Sequence, residues 1–244
     1  MIEKNSRLIK RCIFFSVIII AILFSCFIMV RYEVEGEKNL PFYINKILVM
    51  STVDGKTSEE SGAIWDLNLA QNNDLYIYIN KNETSNEVLK KVIIENFKLT
   101  KKTNVGEIKI YRPTGELSNL YTYSQQNYIN EKLEFNGSTI DDLKVLEISN
   151  QGGILAFRIS TENIGKYVSD SDSEITYNGS LLSKSSINEE DIKFSMSFDM
   201  IIEIEKGIKF KGTINLELPS GNLTENGTVN KEITDFSNVI FKRI

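Results

Sequence analysis

The stretch Ile192-Lys-Phe-Ser-Met-Ser-Phe-Asp-Met-Ile-Ile-Glu-Ile204, continued through Glu205-Lys-Gly207 into Ile208-Lys-Phe-Lys-Gly-Thr-Ile-Asn-Leu-Glu-Leu218, decides the fold. In its first half Ile192, Phe194, Met196, Phe198, Met200, Ile202 and Ile204 alternate with Lys193, Ser195, Ser197, Asp199, Ile201 and Glu203. A period of two is that of a strand with one buried face. Glu205-Lys206-Gly207 interrupts it, with a glycine able to take positive φ. The alternation then resumes as Ile208, Phe210, Ile214, Leu216 and Leu218, until Pro219, which cannot donate to a ladder. A three-residue loop sets Ile202 opposite Phe210, Phe198 opposite Ile214, and Glu203 opposite Lys209 on the wet face. A slip by one residue would turn the apolar set into water, so the register is specified.

Shorter segments extend the pattern. Tyr43–Val53, Glu107–Tyr111, Val145–Ile148, Ile154–Ser160 and Val239–Lys242 are β-branched or apolar. Leu75-Tyr-Ile-Tyr-Ile79 places two tyrosines on the face opposite Leu75, Ile77 and Ile79. Val88–Leu99 fits a helix or a strand, and the β-branched run Val92-Ile93-Ile94 favours strand. Leu117–Leu133 reads as holding a short helix, and Trp65 as core. Asn136-Gly137, Gly152-Gly153, Asn178-Gly179 and Asn226-Gly227 supply turns. The polar stretch Asp170–Asp191 reads as a loop or a joint near 170–191 within the domain.

Upstream lies a different kind of sequence. Cys12–Val30 is an unbroken apolar run without charge, Pro or Gly, long enough as a helix to reach roughly 28 Å, near the thickness of a hydrocarbon core. Lys4, Arg7, Lys10 and Arg11 precede it, with only Glu3 against them, while residues 32–244 carry 23 cations and 32 anions. That asymmetry places residues 1–11 in the cytoplasm, residues 12–30 across the bilayer, 31–41 as a stalk, and 42–244 outside the cell membrane. A cleaved signal peptide would need a small-x-small site, which Phe27–Tyr32 lacks. A lipoprotein reading would modify Cys26, but Phe24 is bulky where a small residue is usual. The uncleaved single-pass anchor is the reading adopted. The expected fold class is thus mainly β, an N-terminal transmembrane helix followed by an antiparallel β-sandwich-like extracytoplasmic domain.

Composition excludes more chemistry than it suggests. The chain has no histidine, and its two cysteines, Cys12 and Cys26, both lie in the apolar run. A Ser-His-Asp triad, a Cys-His dyad, a His-ligated zinc and extracytoplasmic thiol chemistry are therefore out. No S-x-x-K, G-x-x-x-x-G-K-[ST] or G-x-G-x-x-G occurs. The acidic surface repels phosphate backbones, so nucleic acid is not an expected partner. Carboxylate chemistry or binding remains, no cofactor is expected, and no enzyme activity is assigned.

Two candidate clusters stand out. Asp170, Asp172 and Glu174 alternate like the start of a calcium loop, but Ile175 stands where an EF-hand needs Gly and Leu181 where it needs Glu. A looser cation site and a solvated acidic loop both remain open. Tyr121-Thr-Tyr123-Ser-Gln-Gln-Asn-Tyr128 mixes aromatic faces with amides, the chemistry that binds glycans, and equally that of tyrosines half-buried on a sheet edge.

Val34-Glu-Gly-Glu-Lys-Asn-Leu-Pro-Phe42 running into Lys46-Ile-Leu-Val49, with Gly106-Glu-Ile-Lys-Ile-Tyr-Arg-Pro113 and Thr234-Asp-Phe236 before Phe241-Lys-Arg243, resembles uncharacterised single-pass membrane proteins of clostridia and related Firmicutes. The resemblance implies the anchored topology and no activity. The expectation is an extracytoplasmic β-domain with a non-enzymatic, interaction or structural role at a bacterial cell envelope. Its partners would be the lipid bilayer through residues 12–30 and envelope proteins or wall polymer. The alternative is a module that binds or modifies cell-wall polysaccharide through carboxylates and tyrosines.

Overall fold

The computed structural model describes residues 2–57, 64–114, 120–123, 128–129, 131–138, 147–169 and 179–244. Helix α1 spans Ile2–Glu35. Within it Cys12–Glu35 is long and apolar enough to cross a membrane, and it is the one such helix among the described residues. The first residues of the expected stalk thus belong to the helix, which ends at Gly36. That glycine has φ 70°, and a Cβ there would lie 2.5 Å from the Phe241 carbonyl oxygen. A side chain fits neither the conformation nor the space.

The remainder is mainly β. Strands β1 (Phe42–Thr57), β2 (Trp65–Lys81), β4 (Glu107–Tyr111), β6 (Gly137–Ser138), β7 (Glu147–Ser149), β8 (Gly152–Ser169) and β11 (Thr228–Ile233) form one antiparallel sheet. Its order is β11-β1-β2-β8-β7-β6, with β4 also paired to β8. Strands β3 (Leu89–Lys101), β5 (Lys132–Phe135), β9 (Phe194–Ile204), β10 (Lys209–Leu218) and β12 (Lys242–Arg243) form the second, in the order β12-β10-β9-β3-β5. The ambiguous segment after Val88 is therefore strand. Tyr121–Tyr123 are not helical, and Lys132 and Leu133, at the end of the segment read as holding a helix, begin strand β5.

The hairpin that anchored the reading has the expected register: Glu203 pairs with Lys209, Ile202 with Phe210 and Phe198 with Ile214. Gly207 closes the turn at φ 80° and donates its N–H to the Ile204 carbonyl at 2.8 Å. Only its start differs. Ile192 ends a short helix, α3 (Glu189–Ile192), and the strand begins at Phe194.

The two sheets stack face to face. Ile47, Val49, Leu75, Ile77, Phe157 and Ile159 of the first meet Val92, Ile94, Phe198, Met200, Ile202 and Ile214 of the second in one continuous core. The first sheet is longer. Where it outruns the second, Val53, Leu67, Leu69 and Ile164 are covered instead by Leu181 and Leu182 of α2 (Gly179–Lys184), Ile187 and Ile192 around α3, and Leu223 of α4 (Leu223–Asn226). The described part of the stretch read as a loop or joint, residues 179–191, is thus two short helices with a buried apolar face. Between the two cores runs a buried polar row. Ser51 donates to the Asn73 amide oxygen at 2.8 Å and accepts from the Ser220 N–H at 3.0 Å, while Thr161 donates to Gln71 at 3.4 Å. Each buried polar atom here needs such a partner to offset its lost hydration. Trp65, read as core, is only half-buried at the first position of β2.

The outer face of the second sheet is a lattice of ion pairs. Asp199 accepts from Lys211 at 2.7 Å, Thr213 at 2.6 Å and Asn96 at 2.8 Å. Burial alone would raise its pKa, but these three donors outweigh it and hold the carboxyl below its ordinary value. A folded-state pKa below the unfolded one contributes stability that is present above the unfolded value and lost as pH falls through the folded one. Asp199→Asn should therefore lower the urea midpoint at neutral pH, and the gap from the parent protein should close as the medium is acidified below about pH 4. A gap that stays constant from neutral to acid would show that the carboxylate charge is not what these donors hold.

Candidate functional site

The outer face of the first sheet carries the most concentrated chemistry. Alternation turns Met50, Thr52 and Asp54 of β1, Asn72, Asp74, Tyr76 and Tyr78 of β2, and Ala156, Arg158 and Ser160 of β8 to this side, opposite the core residues between them. The segment after β4 returns across it. Tyr128 bridges to Tyr111, the Ile129 N–H donates to the Ile110 carbonyl at 2.9 Å, and Tyr121 and Tyr123 lie over the strands.

Two networks fix that crossing. In the first, Ser160 donates to the Asn72 amide oxygen at 2.7 Å, the Asn72 amide donates to the Tyr123 hydroxyl at 2.7 Å, and Tyr123 donates to Asp54 at 2.8 Å. Burial, reinforced by the Asp54 carboxylate, pushes the Tyr123 phenol well above its ordinary pKa, so it remains a donor. Lys56 Nζ stands 4.5 Å from the centre of the Tyr123 ring. In the second, Arg158 grips Asp74 with Nε at 2.6 Å and Nη2 at 2.9 Å, a bidentate fork. The guanidinium carbon lies 4.5 Å from the Tyr121 ring centre. Nearby, Tyr111 donates to Glu162, which Lys109 also reaches at 3.1 Å. Tyr111 meets Tyr123 edge-on at 5.9 Å and Tyr128 at 6.2 Å.

Between the networks opens a groove of about 490 Å3, lined by Asp54, Asp74, Tyr76, Leu120, Tyr121, Thr122, Tyr123 and Arg158. The three tyrosines singled out in the sequence thus converge on one face, in different states. Tyr121 is buried against Arg158, Tyr123 is half-buried and held by its hydroxyl, and Tyr128 is exposed. Asp54, Asn72, Asp74 and Arg158 were not singled out. The available signal was a lone arginine between Phe157 and Ile159, in an otherwise apolar stretch of β8, while Asp74 closes a polar run that reads as a turn. Asp170, Asp172 and Glu174 lie outside the described residues. Among the described residues no group of three or more carboxylates, thiols or imidazoles is placed to hold a metal ion. Both carboxylates of the groove are engaged, Asp74 by Arg158 and Asp54 by the Gly55 N–H at 2.8 Å and by Tyr123. In this arrangement both act as hydrogen-bond acceptors. Comparison with family models, with curated proteins and with solved structures finds no match to this chain.

Proposed function

We propose that this is a membrane-anchored extracytoplasmic β-domain with a non-enzymatic, interaction role at a bacterial cell envelope, its N-terminus cytoplasmic. The joint between helix and sandwich carries the reading. Phe241 accepts from the Glu37 N–H at 2.7 Å, the Arg243 N–H donates to the Tyr32 hydroxyl at 2.7 Å, and Lys242 pairs with Glu33. These contacts engage the turns of α1 just beyond its apolar run, so the sandwich would stand directly on the membrane surface. From Phe42, at that end, to Asp54 of the groove is roughly 40 Å along β1, at about 3.3 Å per residue. The groove would therefore stand well away from the joint with the anchor, on the side of the sandwich, within reach of large partners.

A reporter that works only outside the cytoplasm, fused after Ile244, should be active, and the protein should stay in the membrane fraction after alkaline extraction. Activity solely from a cytoplasmic reporter would reverse the orientation. Within this role, the tyrosines and engaged polar groups of the groove favour a second reading, a domain that binds wall polysaccharide without modifying it.

A further inference from the structure

We propose that the groove over the first sheet is a site for an uncharged, hydroxyl-rich glycan, with the Asp74–Arg158 fork reading a pair of adjacent hydroxyls and Tyr76 supplying a stacking face. This rests on the polysaccharide-binding reading and narrows it to a ligand class and to named residues.

The fork provides the recognition chemistry. A guanidinium has five N–H donors and a carboxylate about four acceptor positions. Asp74 and Arg158 use two of each on one another, at 2.6 and 2.9 Å. By this count three donors and two acceptors remain for other partners. Adjacent sugar hydroxyls present the complementary set, each being both donor and acceptor. The side chains are already immobile: the guanidinium is stacked on Tyr121 at 4.5 Å, and both partners are largely buried. Their ordering cost is met on folding, not on binding. Asp54, with its carboxylate oriented by the Gly55 N–H and Tyr123, offers further acceptor positions at the other end of the groove. Tyr76 is half-buried on the same wall and leaves part of its ring for the apolar C–H face of a sugar.

Charge selects the class. Asp74 is paired with Arg158, and Lys56 stands over the ring of Tyr123, the residue that donates to Asp54. Among the described residues that line the groove the one cation, Arg158, is already held by Asp74, and a phosphate- or carboxylate-bearing polymer would also meet a chain whose residues 32–244 hold 32 anions against 23 cations. An uncharged chain meets no such barrier.

The test uses the full chain in a detergent without sugar groups, such as an amine oxide. Binding of two uncharged oligosaccharides, chitotetraose and maltotetraose, is compared with that of anionic polygalacturonate by titration calorimetry. At least one uncharged oligosaccharide should bind saturably at millimolar concentration or below. Tyr76→Ala should weaken that binding by about tenfold or more. Arg158→Lys, which keeps the charge but removes the planar fork, should do the same. Tyr76→Ala removes a half-exposed ring, so the test survives even if Arg158→Lys fails to fold. Tighter binding of polygalacturonate than of either uncharged probe would overturn the ligand class while leaving a polysaccharide site. Unchanged affinity in Tyr76→Ala would overturn the site. No saturable binding of any of the three would overturn both readings.

Discussion

Phe198→Ala is expected to lower the unfolding free energy by about 3–5 kcal/mol, the range for truncating a fully buried aromatic side chain. Phe198 has no exposed surface, and it is the residue through which the two sheets lock. Its ring meets Phe157 of the opposite sheet edge-on at 5.5 Å, and Phe97 of its own sheet at 5.9 Å. Phe97 in turn meets Phe157 at 5.9 Å, so the three rings form a closed cluster across the sandwich. Losing one leaves a void between sheets whose backbones are fixed by long ladders on both sides, which limits relaxation. Edge-to-face contacts worth about 0.5–1.5 kcal/mol are lost as well. Ser197, one position away, points to the opposite face, and although it is buried too, Ser197→Ala removes only a hydroxyl and leaves no cavity of that size, so it should cost about 1 kcal/mol or less. Urea midpoints of the two variants, as full chains in the same detergent, provide the comparison. Similar losses in both would mean that the alternation along β9 does not set which face is buried.

That hairpin was readable because one fact repeats at every position. Each second residue is apolar, and the loop length leaves one register that buries them all. Strand β2 was readable only from Leu75 on. Its first half contains Gln71-Asn-Asn-Asp74, residues whose short polar side chains usually favour turns. Here all four lie inside a paired strand, and what permits it is far away in the chain. Asn73 is met by Ser51, Asn72 by Ser160, and Asp74 by Arg158. Tertiary hydrogen bonds override the local preference, and no window on the sequence contains both partners. The helices at 179–192 failed to show for a different reason. Four buried apolar residues, Leu181, Leu182, Ile187 and Ile192, are spread over two helices of 6 and 4 residues and the turn between them, too short for a helical period to emerge from a polar background. The candidate site divides the same way. Its tyrosines were visible as an aromatic and amide cluster within eight positions. The groups that orient them come from β1, β2 and β8, and only the pairing of those strands brings them to one face.

Breaking the fork from one side should be the other large loss. Asp74→Ala is expected to cost about 3–5 kcal/mol, the range for leaving one member of a buried pair without its partner. The side chains of Arg158 and Asp74 are only 16% and 12% exposed, so water cannot take over the carboxylate's role in place. Arg158 would retain its charge beside the Tyr121 ring, with Asp54, the other carboxylate that lines the groove, already bound to Tyr123 and to the Gly55 N–H. That figure is the cost of an uncompensated charge; two hydrogen bonds to charged groups, at about 1.5–3 kcal/mol each, would lie in the same range, so the single variant does not tell the two apart. The double variant Asp74→Leu/Arg158→Met separates these possibilities. It removes both charges and keeps apolar volume under Tyr121, so it should recover most of the loss, as replacement of a buried pair by packed apolar side chains often does. Urea midpoints of the parent, the single variant and the double variant at one pH close the comparison. A double variant as unstable as Asp74→Ala would mean that the fork stabilises the crossing of the tyrosine segment directly. A single variant within about 1 kcal/mol of the parent would mean that Arg158 escapes to solvent, so that the fork is not held as the two short hydrogen bonds and the Tyr121 ring indicate.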